Sequence, residues 1–218
     1  MVTNPKSLVD GRDEASPATL GAKIRQARLE RGYGVRELAR LLDCSASLIS
    51  QIERDKANPS VNTLYSIANV LGISVDSMFE TRGLPAGAMA NASAPLRHEA
   101  RPTSTVQHKD SRLTINLDHG VRWELLTPTP EHGNEFMEVT YPVGSSSAAR
   151  DEFVRHSGRE YAVIVEGVLS ARIGEDDFEL APGDSLSFDP MTPHRFWNDG
   201  DVPARAVWFV QDRWTPGE

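Results

Sequence analysis

The chain has 218 residues, 39% of them hydrophobic and 25% charged, a globular composition long enough for two ordinary domains and unlike a disordered polymer. Its apolar runs fall short of the roughly 18 residues of a membrane span. The opening "MVTNPKSLVDGRDEASP" lacks a signal-peptide layout, and the one cysteine, Cys44, excludes an internal disulfide, so a cytoplasmic protein with no membrane partner is expected.

The formal charge of −8 is unevenly shared: residues 1–82 hold 11 Lys/Arg against 10 Asp/Glu, residues 83–218 hold 12 against 21. A polyanionic partner therefore has to meet the N-terminal part. Residues 1–16 read as a disordered N-terminus. From 17 to 81 the apolar period is helical. Leu20, Ile24 and Ala27 recur at helical steps until Gly32 and Gly34 interrupt them, and Leu38, Ala39 and Leu42 form a second apolar face. Ser45 offers an N-cap to a third helix with Ile49 and Ile52 inward. Ser60 caps a fourth with Val61, Leu64, Ile67, Ala68 and Leu71 inside, and Ser74 a short fifth ending near Phe79. Residues 82–100, including "RGLPAGAMANASAPL", read as a flexible linker. Across 101–218 the period switches to two: "VRWELL", "EFMEVTY", "EYAVIV", "VLSARI", "SLSF" and "RAVWFV" are strand-like, separated by turns such as "LAPGD", where Pro182-Gly183 suits a type II turn. Many short strands with no intervening helix imply an all-β barrel or sandwich.

The segment "VRELARLLDCSASLISQIERDKANPS" has helix-turn-helix spacing. With Ile49 and Ile52 inward, its second helix leaves Ala46, Ser47, Ser50, Gln51 and Arg54 outward: a methyl, two hydroxyls, an amide and a cation. These suit base edges and phosphates in a major groove, and small residues permit close approach. Ser45, Lys56 and Arg36 flank this face and complete the expected DNA-binding set. A helical protein-interaction module is the competing reading.

On "IRQAR", "RELA", "SLISQIE", "NPSVNTL", "IANVLG" and "MF", the stretch from Leu20 to Phe79 resembles the Xre/Cro-type DNA-binding domain. That resemblance implies an ion pair between Arg28 and Glu53 that clamps the recognition helix to the core. The chain departs from the family at Gly34-Val35, where a phosphate-binding side chain is common, and at Asp55, where the backbone favours Gly. Cys44 takes the place of a small apolar residue and is expected to be buried in the turn.

In "FVRHSGREYAVIVEG" His156 and Glu160 sit four apart, and "PGDSLSFDPMTPHRFWN" supplies His194. Glu160 with Gly167, and Gly183 with His194 and Asn198, have the spacing of the two cupin motifs. The second half therefore resembles a cupin, a double-stranded β-helix barrel. Asp189-Pro190-Met191 replaces the family's Pro-x-Gly, and Val154 stands where the first His of the usual pair would be. Two imidazoles and a carboxylate remain, a set that can hold iron, zinc or nickel. The same trio could contact a small effector without metal, or satisfy itself by hydrogen bonds. Strand alternation puts Ala162 and Ile164 on the face of Glu160 and Phe196 on that of His194 as pocket lining. It sends Arg155, Arg159 and Arg195 to the surface.

A five-helix DNA-binding domain followed by an all-β cupin is similar to Xre-type regulators with cupin sensor domains. The resemblance implies a homodimeric repressor of a double-stranded DNA operator, its barrel sensing a small-molecule effector or metal, with no catalysis. The alternative, from resemblance to hydroxypropylphosphonate epoxidases, is a mononuclear iron enzyme using His156, Glu160 and His194.

Overall fold

The computed structural model describes residues 19–79 and 105–211; the expected disordered N-terminus (1–16) and linker (82–100) lie outside them. The first domain has four α-helices: α1 (Leu20–Glu30), α2 (Val35–Leu41), α3 (Ala46–Ile52) and α4 (Val61–Leu71). Thr19, Ser45 and Ser60 cap α1, α3 and α4 by accepting from the backbone N–H groups of Ala22, Leu48 and Thr63. Gly72, at φ +60°, ends α4 in the left-handed region. Ile24, Leu38, Ile49, Ile52, Leu64, Ile67 and Leu71 fill the core.

The expected fifth helix is a single 3₁₀ turn, Asp76–Met78. The segment is too short to repeat the first hydrogen-bonded turn, whose dihedral cost only further turns recover. Met78 and Phe79 are fully buried and fix it in place. Asp55 does hold φ +54°, and its carboxylate is put to use. It accepts from Thr19 Oγ at 2.6 Å and from the Gly21 N–H at 3.0 Å, tying the start of α1 to the end of α3. The approach is close enough that a Cβ on Gly21 would lie 2.3 Å from the Ile52 carbonyl oxygen. Cys44 is half-buried rather than buried, because the turn between α2 and α3 lies at the surface.

The second domain is antiparallel throughout: β1 (Thr114–Asn116), β2 (Arg122–Leu125), β3 (Asn134–Tyr141), β4 (Arg159–Glu166), β5 (Leu169–Ile173), β6 (Asp176–Leu180), β7 (Ser185–Phe188), β8 (His194–Trp197) and β9 (Ala204–Gln211). One sheet runs β1-β2-β3-β9-β4-β7 and the other β6-β5-β8. Inward rows alternate as expected: Glu135, Met137, Val139 and Tyr141 on β3, and Ala204, Ala206, Trp208 and Val210 on β9. Gly167, at φ +69°, turns β4 into β5 beneath Pro203, whose carbonyl oxygen would lie 2.4 Å from an added Cβ.

The two domains meet where the N-terminal half of α4 faces one end of the barrel. The Asp118 N–H donates to the Pro59 carbonyl at 2.9 Å. Tyr65 packs against Trp123 with ring centroids 5.9 Å apart. No helix among the described residues is long and apolar enough to cross a membrane.

Candidate DNA-reading face and barrel site

Helix α3 is fixed from behind and open in front. Ile49 and Ile52 are buried, while Ser45, Ser47, Gln51, Arg54, Lys56 and, from α2, Arg36 are exposed; Ala46 and Ser50 are half-buried. Gln51 Nε2 donates to Ser47 Oγ at 3.2 Å, and Arg54 Nε donates to the Ser50 carbonyl at 2.9 Å. These are weak local bonds that a base edge or phosphate can replace. Behind them Arg28 donates Nε and Nη2 to the two carboxylate oxygens of Glu53, at 2.5 and 2.9 Å, and Nη1 to the Tyr33 carbonyl at 2.8 Å. The pair is nearly enclosed, with side chains 7% and 6% exposed, and joins α1 to the C-terminus of α3. Gly34 begins α2 without a side-chain cap, the local consequence of the Gly34-Val35 departure.

The barrel site gathers His156, Glu160 and His194, whose ligand atoms lie within 4.8 Å of one another. His156 precedes β4 instead of lying on it; Gly158, at φ +110°, turns the chain and lays the imidazole over Glu160. Glu160 is the second residue of β4, and His194 opens β8. His156 Nε2 lies 2.6 Å from Glu160 Oε1, and His194 Nε2 lies 3.5 Å from it. The Nδ1–H of each imidazole donates to a backbone carbonyl, Ser157 at 2.9 Å and Thr192 at 3.0 Å. Trp208 Nε1–H donates to Glu160 Oε2 at 2.8 Å. Each ligand is thus oriented from outside, with Nε2, Nε2 and Oε1 converging, the outer support that metal-binding residues require. The residues fit a divalent ion. Val154 fills the place of the family's additional His, fully buried and paired by backbone hydrogen bonds with His194.

Burial would raise the Glu160 carboxyl, yet the hydrogen bond and charge of His156, with His194 and Trp208, hold it below its usual range. Burial likewise opposes the His156 cation, but Glu160 raises it. Burial lowers His194 despite the attraction of Glu160. Charge is thus favoured on Glu160 and His156 and disfavoured on His194, and a divalent ion held by the three would take the place of a proton.

The cavity at the trio measures about 20 Å³ and is lined by Phe196, Trp208, Trp123, Tyr141, Val61 and Tyr65 among others. Ala162 and Ile164 are buried on the face of Glu160 but do not reach the cavity wall. Each step of two along β4 moves roughly 6–7 Å farther from the mouth where Glu160 sits. Arg155 is exposed, but Arg159 and Arg195 are half-buried. Arg159 donates to Ser187 Oγ at 3.3 Å; Arg195 donates to the Ala148 carbonyl at 3.1 Å and lies 4.8 Å from the Trp197 ring centroid.

Sequence reasoning passed over Glu135, Trp208 and Tyr65. The alternation of "EFMEVTY" and "RAVWFV" could have turned Glu135 and Trp208 inward. Tyr65 comes from the other domain: its ring stacks on His156, with centroids 3.8 Å apart at 9°, and its hydroxyl donates to Glu135 Oε2 at 3.0 Å. Burial pushes the Glu135 carboxyl up to about 8, against the pull of His156 and Tyr65.

Residues 24–78 match the helix-turn-helix family model and residues 137–210 the cupin domain model. The chain is 26% identical over 188 residues to the HTH-type transcriptional regulator PuuR of Escherichia coli, covering 86% of this chain and 91% of that one. The crystal structure of an HTH_3 family transcriptional regulator from Vibrio cholerae superposes with a TM-score of 0.60 at 20% identity, over 90% of this chain and 97% of that one, and has the same fold. Hydroxypropylphosphonic acid epoxidase from S. wedmorenis, 20% identical over 89% of this chain and 98% of that one, superposes at a TM-score of only 0.44, too loosely to bear on chemistry. The chain thus joins a helix-turn-helix domain of the HTH_3 (Xre) type to a cupin domain, and along most of its length it is similar to an HTH-type transcriptional regulator.

Proposed function

We propose that this DNA-binding regulator is a homodimeric, cytoplasmic repressor whose α3 reads an operator in the major groove and whose barrel adjusts that reading to a small-molecule effector or a divalent metal. The observation that carries the reading is α3 itself: a slim polar strip, not covered by any other of the described residues, on a helix fixed by Ile49, Ile52 and the Arg28–Glu53 pair. The Gln51 amide matches the paired donor and acceptor of an adenine edge. Ser47 and Ser50 suit either base or phosphate, and the Ala46 methyl suits thymine. Ser45, Arg36, Arg54 and Lys56 ring the strip where phosphates would pass.

A second copy has a place to dock. The outer face of the β3-β9-β4 sheet exposes Phe136, Tyr161, Val163 and Val165, and Phe136 and Tyr161 gather around Phe209 with centroids 6.4 and 6.2 Å away. Pairing there would put two copies of α3 on half-sites about one DNA turn apart, or a multiple of it. A metal held by His156, Glu160 and His194 would supply a fixed positive charge joining the start of β4 to β8. Turnover of an organic substrate is the weaker reading, since it gives the small, polar, exposed strip of α3 no role.

Selection of bound sequences from random DNA, with and without metal and candidate metabolites, tests the proposal. A recovered half-palindromic motif whose enrichment changes with an additive is expected. Failure to enrich any sequence under all conditions would reject it.

A further inference from the structure

We infer that Tyr65 is the lid of the barrel site, so that docking of the DNA-binding domain and occupation of the barrel by an organic molecule exclude one another. The inference rests on the regulator reading and names how the barrel would be coupled to DNA.

The first observation is the ring. A tyrosine on a solvent-facing helix flank has no reason to be 7% exposed. Tyr65 reaches that burial by leaving its own domain and lying flat on His156. Its hydroxyl finds a partner at Glu135, an acid at the mouth end of the inward row of β3. In shape and polarity Tyr65 sits as a bound phenol would, with an aromatic face on an imidazole and a donor to a buried acid.

The second observation is space. With Tyr65 and Val61 in the wall, about 20 Å³ remain beside Glu160 and His194. A water or a bare ion fits there; a metabolite of even five or six heavy atoms does not. The barrel's other inward positions hold Trp123, Met137, Val139, Tyr141, Phe196 and Trp208, packed residues whose displacement would disrupt the core. Tyr65 is different, because it can leave with its domain. An organic ligand with a flat ring or a donor for Glu135 takes the place of the phenol and releases α4.

The third observation is what joins Tyr65 in the contact. Among the described residues, Val61 enters the same cavity wall and the Asp118 N–H donates to the Pro59 carbonyl across the domain boundary.

The test uses the full-length protein and diethyl pyrocarbonate, which acylates accessible imidazoles, with modification at His156 and His194 followed by peptide mass spectrometry against exposed His108. Solution scattering gives the radius of gyration of the same samples. Tyr65→Ala should raise the His194 rate at least tenfold and expand the particle; Tyr65→Phe, which keeps the ring, should stay within about threefold of wild type. Asp118→Pro removes the backbone donor outside the barrel core, following a Leu117 already extended at φ −108°, ψ 168°. It should raise the rate severalfold even if Tyr65→Ala does not fold.

Wild-type protection of His194 in folded Asp118→Pro and Tyr65→Ala proteins would overturn the inference. So would a faster Tyr65→Ala rate in a particle as compact as wild type, since the ring would then plug a hole without answering to docking. Protection that follows the variants while no DNA sequence can be selected would spare the lid and remove the regulator. A selected operator with unaltered protection would do the reverse.

Discussion

Replacing Glu53 by Gln keeps the size of the side chain and removes the charge that Arg28 faces. The guanidinium would remain about nine-tenths enclosed with the Tyr33 carbonyl and a neutral amide as its partners. Breaking one side of a buried pair costs about 3–5 kcal/mol, because the surviving charge is left uncompensated. The lower figure, about 3 kcal/mol, suits a pair at the edge of a small core. A helical domain of some sixty residues has about 3–9 kcal/mol to lose, so the variant would keep about 0–6 kcal/mol and its urea midpoint would fall by a third or more. The four helices belong to this domain, so urea unfolding followed by far-ultraviolet circular dichroism reads it separately from the barrel. Arg172–Asp177 is an internal control: it has the same 2.5 Å separation, but its side chains are 45% and 55% exposed, and Asp177→Asn should leave the transition unmoved. Arg28→Met with Glu53→Met should cost less than the two single changes together, by about 2 kcal/mol. A Glu53→Gln cost no larger than that of Asp177→Asn, or strict additivity in the pair, would refute the clamp.

Gln51→Ala should weaken operator binding by about 1–3 kcal/mol and spare nonspecific DNA, measured by fluorescence anisotropy on both; equal losses on both would count against base reading. Purified protein should retain near-stoichiometric iron, zinc or nickel by elemental analysis, and His194→Ala should lose it, since His156 and Glu160 alone leave a two-ligand site. The Glu135 carboxyl, raised from 4.5 to about 8 by burial, binds its proton more tightly folded than unfolded. Its stabilising contribution is therefore full below pH 4.5 and is lost as pH rises to about 8, by up to about 1.4 kcal/mol per unit. His156, also raised, adds to the same fall above its ordinary 6.5. Glu160, lowered, acts oppositely only as pH falls below its ordinary 4.5, and His194, lowered, only as pH falls below its ordinary 6.5. Metal-free protein should thus unfold more readily in urea at pH 8 than at pH 5.5, and Glu135→Gln should flatten much of that difference.

What the sequence made legible follows from which interactions are local. Caps at Ser45 and Ser60 act within three residues, so they stand in the string of letters. The inward residues of α3 and α4 repeat at helical steps, and β3, β4 and β9 of the long sheet alternate because one face is buried. Strand β6, "DDFEL", escaped notice because it is exposed along nearly its whole length and so carries no alternation. The ligand trio was legible through spacing, but the cavity was not, since its wall depends on how deep along β4 each inward residue falls. Asp55 looked like a liability from its backbone alone; its benefit is a capping bond to residues 34 and 36 positions away. Tyr65 was the least legible of all. Within α4 it reads as a flank of the helical stripe, and only the position of the second domain gives it a partner 70 residues on at Glu135.

The weakness of the domain contact is what suits it to regulation. Helix α4 gives Leu64, Ile67 and Leu71 to its own core and Val61 and Tyr65 to the barrel, so it cannot change its relation to the barrel without carrying α3 along. The polar bonds holding it there contribute about 1 kcal/mol each, the ring stack a similar amount, and burial of the Tyr65 and Val61 side chains about 1.5–3 kcal/mol each, a gross total of several kcal/mol that the freedom regained on release offsets in part. An effector able to bind only the released form can outcompete a contact of that size, and would change operator affinity by a comparable margin, the 1–3 kcal/mol typical of coupled sites. A broad apolar interface between the domains would hold them docked whatever the barrel contained, and no contact at all would leave the barrel unable to inform the DNA. Tyr65 and Val61, set into the barrel with two polar bonds beside them, lie between those limits.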